Sequence, residues 1–87
     1  MPEEEIEGKL IGKIIHFFDK IQVAVIELLG PLKVGDEIRI VGGETDFEQA
    51  VESMQIDHQE IDKAKKGDEV GLKVSEKVRD GYRVYKI

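Results

Sequence analysis

The 87-residue chain contains no cysteine. That excludes disulfide frameworks, zinc ribbons, iron–sulfur ligation and thiol catalysis together. Tryptophan and asparagine are absent too. Long hydrophobic runs are missing: the longest is Val23 to Ile26, far below the roughly 20 residues of a membrane helix. The opening Met1-Pro2-Glu3-Glu4-Glu5 lacks the basic start and apolar middle of a signal peptide. The expectation is a cytoplasmic protein with no membrane partner. A charged fraction of 37% without cysteine or asparagine is also the composition of thermophile proteins.

Catalytic content is equally thin. Nucleophilic chemistry needs a nucleophile, a base and an orienting group. The hydroxyl candidates are Thr45, Ser53, Ser75 and two tyrosines, and the bases are His16 and His58. Neither histidine sits in a recognisable motif. His58, in Asp57-His58-Gln59-Glu60, has no second histidine at metal-ligand spacing and reads as a solvated loop residue. His16 reads as a partly buried residue where a strand enters a turn. Gly8 to Ile14 has three residues between its glycines where a phosphate loop has four. Asp36-Glu37 and Asp68-Glu69 each follow a glycine and read as turn chemistry. No catalytic residue, metal or cofactor is expected, and the chain reads as a non-enzyme.

What is present is material for one small domain: 40% hydrophobic residues, distributed in short alternating runs. Residues 6–17 carry apolar side chains on both parities. Ile21 to Leu28 is a β-branched strand. Ile38 and Ile40 face inward between Glu37 and Val41, and Val70, Leu72 and Val74 alternate cleanly. Asp46 to Ile56 reads as a strand with a bulge near Glu52–Ser53, although Glu48, Gln49, Ala50, Glu52 and Met54 would also suit a helix. Asp57 to Asp62 reads as a polar loop, and Tyr82 to Ile87 as the last strand. Residues 1–5 are the expected mobile stretch, with residues 6–87 a single domain. Six short strands without a βαβ interval predict an all-β fold, a closed antiparallel barrel that leaves no exposed edge.

The net charge of −6 excludes a uniformly basic nucleic-acid binder. It is an average of two unlike regions. Residues 1–62 carry 5 basic and 15 acidic side chains; residues 63–87 carry 8 and 4. Lys73, Lys77 and Arg79 flank one loop. Phe17 and Phe18 lie at a strand end beside Lys20, and only one ring can easily point inward. An exposed Phe18 would be a stacking or docking platform. These six residues form the candidate site for RNA or a protein partner, and Glu44 to Glu52 is a candidate acidic patch.

The order of segments resembles a known domain. Leu32-Lys33-Val34-Gly35-Asp36-Glu37-Ile38-Arg39-Ile40, Val51-Glu52-Ser53-Met54-Gln55, Ala64-Lys65-Lys66-Gly67-Asp68-Glu69-Val70-Gly71-Leu72 and Val78-Arg79-Asp80-Gly81-Tyr82-Arg83-Val84 resemble segments of the second domain of elongation factor Tu and related translational GTPases. The resemblance implies a six-stranded Greek-key barrel that contacts RNA or a ribosomal component, without GTP hydrolysis by this chain. His16 to Lys20 takes the place of that domain's glycine-rich loop, without its glycines and arginine. A similar barrel occurs at the C-terminus of collagenase-like peptidases. Its Val-Gly-Asp signal is matched at Val34-Gly35-Asp36, and its Asp-Phe-Glu signal at Asp46-Phe47-Glu48-Gln49. That likeness implies the alternative function, an adaptor docking onto a peptidase or an RNA-modifying protein.

Overall fold

Short runs of β-branched residues separated by tight turns build antiparallel ladders from end to end. The structure, a computed structural model, describes residues 8–43 and 45–87. Among these it holds ten strands and no helix. They are β1 (Lys9–Phe18), β2 (Val23–Leu28), β3 (Leu32–Lys33), β4 (Glu37–Gly42), β5 (Thr45–Ala50), β6 (Met54–Ile56), β7 (Gln59–Ile61), β8 (Lys63–Ala64), β9 (Glu69–Lys73) and β10 (Arg83–Lys86). Eight of them form one sheet in the order β5-β4-β10-β1-β2-β9-β6-β7, and β3 pairs with β8 as a separate ribbon. The expected mobile residues 1–5, the start of the first strand at Ile6, and Glu44 of the acidic patch lie outside the described residues.

Strand β1 explains its own two-faced sequence. Its register slips against β10 between Leu10 and Gly12, and against β2 between Ile14 and His16. Each slip switches the parity of the inward residues, as a bulge does. Ile11 and Ile14 are therefore both buried, although they are three residues apart. The core continues through Ala24, Ile26 and Leu28 of β2, Ile38 and Ile40 of β4, Val70 and Leu72 of β9 and Val84 of β10. Phe17, Phe47 and Tyr82 pack against it from the side.

The sequence expectation of a closed six-stranded barrel is corrected. The main sheet has eight strands, and its ladder does not return from β7 to β5. The reason lies in residues 51–53, which are not part of any strand. Val51 carries the β4–β5 pairing one step beyond Glu37–Ala50, opposite Gly35 and Asp36 of the β3–β4 turn. Its N–H donates to the Asp36 carbonyl at 2.8 Å, and its carbonyl accepts from Gly35 N–H at 2.9 Å. Pairing stops there and resumes only at Met54, so the expected bulge near Glu52–Ser53 is a break between two strands. Strands β3, β7 and β8 have only two or three residues, too few for alternation to reveal them. Half of the expected polar loop at 57–62 is β7, joined to β6 through Asp57 and His58. Both have positive φ, 52° and 65°, the conformation that a two-residue type I′ hairpin turn demands.

The two Gly-Asp pairs sit in turns, as expected, and the turns match. In Lys33-Val34-Gly35-Asp36 and in Lys65-Lys66-Gly67-Asp68, the aspartate N–H donates to the lysine carbonyl. The aspartate carboxylate accepts the lysine N–H, at 3.0 and 3.1 Å. The third-position glycines have φ of +99° and +94°, as type II turns require.

Folding also dissolves the charge division seen along the chain. Strand β10 lies between β4 and β1, and β9 between β2 and β6. Lys86 reaches Asp36 at 3.4 Å. Strands of the basic C-terminal third thus lie between strands from earlier in the chain, and one of its lysines pairs with an aspartate of the acidic part.

Candidate docking surface

The turn from β1 to β2 gathers the site residues. Phe18 faces Val23 across β1–β2, and Val23 faces Lys73 across β2–β9. Directly paired antiparallel residues share a face, so Phe18, Val23 and Lys73 form one row on the outside of the sheet. Phe17 turns the other way and packs on the core. Phe18 is left 47% exposed, and neighbouring Ile21 is 60% exposed. The His16 ring stands edge-on to Phe18, centroids 4.3 Å apart at 64°, which limits the rotamers available to Phe18. His16 is thus exposed, not partly buried.

Three shallow hollows surround this row. Phe17, Phe18, Asp19, Lys20 and Ile21 line the first, of about 320 Å³. Phe17 continues into a second with Val78, Arg79 and Asp80. The third, of about 260 Å³, runs between Ile21, Val23, Gln55 and Lys73 and crosses Gly71. Five of the six sequence candidates thus meet around one turn. Lys77 is exposed but lines none of these hollows. Sequence reading missed Ile21, whose signal was a lone isoleucine inside a polar turn, Asp19-Lys20-Ile21-Gln22.

Gly71 makes the third hollow a groove. An added Cβ would meet Val23 Cγ1 at 3.4 Å and the Gln55 carbonyl oxygen at 3.8 Å, which is ordinary contact. Gly71→Ala is therefore expected to leave stability unchanged or to raise it by up to about 1 kcal/mol in thermal melts, through a less flexible unfolded chain. A loss above that amount would show that the backbone here needs glycine.

The electrostatics do not suit a phosphate backbone. Each cation at the turn has an acidic neighbour: Asp19 beside Lys20, Asp80 beside Arg79, and Glu52 in the cleft that Lys73 also lines. A surface of interleaved sign gives little of the counterion release that drives nucleic-acid binding.

Comparison with known proteins agrees. The chain is 46% identical to an uncharacterized protease of Methanocaldococcus jannaschii over 89 aligned residues, which cover 93% of this chain and 22% of that protein. It is 38% identical to a collagenase of Porphyromonas gingivalis over 78 residues, covering 87% of this chain and 22% of the collagenase. A crystal structure of the C-terminal domain of a Geobacillus thermoleovorans protein assigned to the U32 peptidases superposes with a TM-score of 0.85. It covers 90% of this chain and 99% of that domain, at 22% identity. The fold is that of a U32 peptidase C-terminal domain. The chain spans about a fifth of the length of the curated relatives it matches. No family model matches it. These findings overturn the translation-factor and RNA-binding reading: the relatives and structural neighbours are peptidases, and the Asp46-Phe47-Glu48-Gln49 likeness pointed the right way.

Proposed function

We propose that this chain is a non-catalytic docking module that works beside a collagenase-like peptidase unit. The observation that carries the reading is the alignment itself. Nearly all of this chain matches a fifth of relatives named as proteases. The outer row of Phe18, Val23 and Lys73, extended by Ile21, supplies the contact. Its exposed apolar part and mixed-charge rim are the anatomy of a protein interface, and an exposed aromatic residue such as Phe18 is the kind that carries binding energy.

The test uses the Methanocaldococcus jannaschii relative, expressed without the segment that aligns with this chain. Titration of this chain into that remainder is expected to give a saturable one-to-one heat. Phe18→Ala and Ile21→Lys should each weaken it about tenfold or more, since interface anchors cost about 2 kcal/mol or more on truncation. Absence of any heat at concentrations of tens of micromolar would sink the proposal.

A further inference from the structure

The open side of the sheet holds a side chain doing the work of a backbone. Beyond Leu72, β9 has lost β6, because residues 51–53 have left the ladder. The edge that carries the Lys73 carbonyl and the Ser75 N–H therefore meets no strand. Gln49 of β5 fills the gap. Gln49 faces Ile38 across the β4–β5 ladder, so its side chain lies on the inward face. Its Nε2 donates to the Lys73 carbonyl at 2.9 Å, and its Oε1 accepts from Ser75 N–H at 2.8 Å. Those two backbone groups flank Val74. A residue of a parallel neighbouring strand bonds such a pair, donating to the carbonyl on one side and accepting from the N–H on the other. The carboxamide of Gln49 thus occupies a slot shaped for one peptide unit.

Beside it lies a cleft of about 310 Å³, lined by Gln22, Gln49, Ala50, Glu52, Lys73 and Ser75 among others. That volume is at the lower end of the roughly 300–1,000 Å³ of ligand sites. Glu52 and Lys73 give its walls opposite charges. Both hydrogen bonds of Gln49 are solvent-exposed, so exchanging the carboxamide for a peptide group swaps like for like.

We propose that this seam accepts an extended polypeptide segment, which displaces Gln49 and adds a strand beside Lys73–Ser75. The inference rests on the docking reading for its source: the segment is unfolded substrate of the peptidase partner. Recognition is through the main chain, so the segment needs a free N–H opposite the seam and tolerates varied side chains.

The experiment uses the intact chain. The probe is a fluorescein-labelled heptapeptide alternating threonine and valine between a terminal lysine and a terminal glutamate, followed by anisotropy. Saturable binding is expected. Gln49→Ala should tighten it about tenfold by vacating the slot, and Ser75→Pro should weaken it at least tenfold by removing the N–H. The same peptide with its central amides N-methylated should not bind. Equal binding of the methylated peptide, no binding of either, or unchanged affinity in Ser75→Pro overturns the proposal. Should Gln49→Ala fail to fold, the methylated peptide and Ser75→Pro still decide it. Phe18→Ala should leave peptide affinity unchanged, and Ser75→Pro should leave the heat of titration with the peptidase remainder unchanged. Failure of one reading is therefore separable from failure of the other.

Discussion

Gly12→Val is expected to remove about 3 kcal/mol or more of stability, of the roughly 4–13 kcal/mol an 87-residue domain commands. Gly12 sits at the bulge in β1, paired to Val84 on one side and Leu28 on the other, and it is buried. A Cβ there would lie 2.7 Å from Ile26 Cγ2 and 2.9 Å from the Glu27 carbonyl oxygen. The isoleucine methyl can rotate, but the carbonyl belongs to the β2 backbone and cannot move without breaking the ladder. Valine adds two further methyls to that space. Gly67→Ala is the matched control. Its φ of +94° imposes strain of about 1–2 kcal/mol, but nothing lies within 4 Å of an added Cβ. Urea unfolding at constant slope should rank Gly12→Val well below Gly67→Ala, which in turn lies below wild type. A Gly12→Val midpoint within error of wild type would show that the bulge relaxes freely.

The second large effect concerns Asp36, a buried charged residue of the core region. Burial alone would raise its carboxyl pKa. The Lys33 side chain at 2.8 Å, the Lys33 N–H at 3.0 Å and the Lys86 ammonium more than offset this, and the carboxyl is held below its ordinary value. A carboxylate whose folded pKa is depressed stabilises the fold above the unfolded pKa of about 3.9. That contribution fades as pH falls through the lower, folded value. Asp36→Asn is expected to cost about 1–3 kcal/mol near neutral pH. Chemical denaturation between about pH 6 and pH 2 should show part of the acid loss of stability in wild type vanish in the variant. An unchanged acid limb would mean that other carboxylates carry it. Asp46 is also held low by its bond from Arg39. It is solvent-exposed, so its removal should matter far less.

Much of the fold is legible in particular residues. The inward pairs Ile38 and Ile40, and Val70 and Leu72, reveal β4 and β9 by parity alone, and the crowded sequence of β1 already signals its bulges. Closure is not legible. It depends on where pairing stops, with Val51 opposite Gly35–Asp36 and with Met54 opposite Leu72, limits set between distant backbone groups that no local pattern records. The candidate surface is half legible: two adjacent phenylalanines on one strand point to opposite faces, so one was bound to face outward. The seam was hidden because Gln49 looks like any polar strand residue until Lys73 and Ser75 are brought opposite it.

The place of β10 bears on how the chain reaches this structure. Residues 83–86, made after both of their partner strands, fill the place between β1 and β4. Until they arrive, those two strands each present an unpaired edge of the kind that recruits foreign strands. The final ladders join residues far apart in sequence, Lys9 with Lys86 and Ile38 with Lys86. Such loop closures are slow. A nascent chain therefore passes through a stage at which β4 and β5 stand apart from the strands around β1, and it is β10 that zips the two parts together.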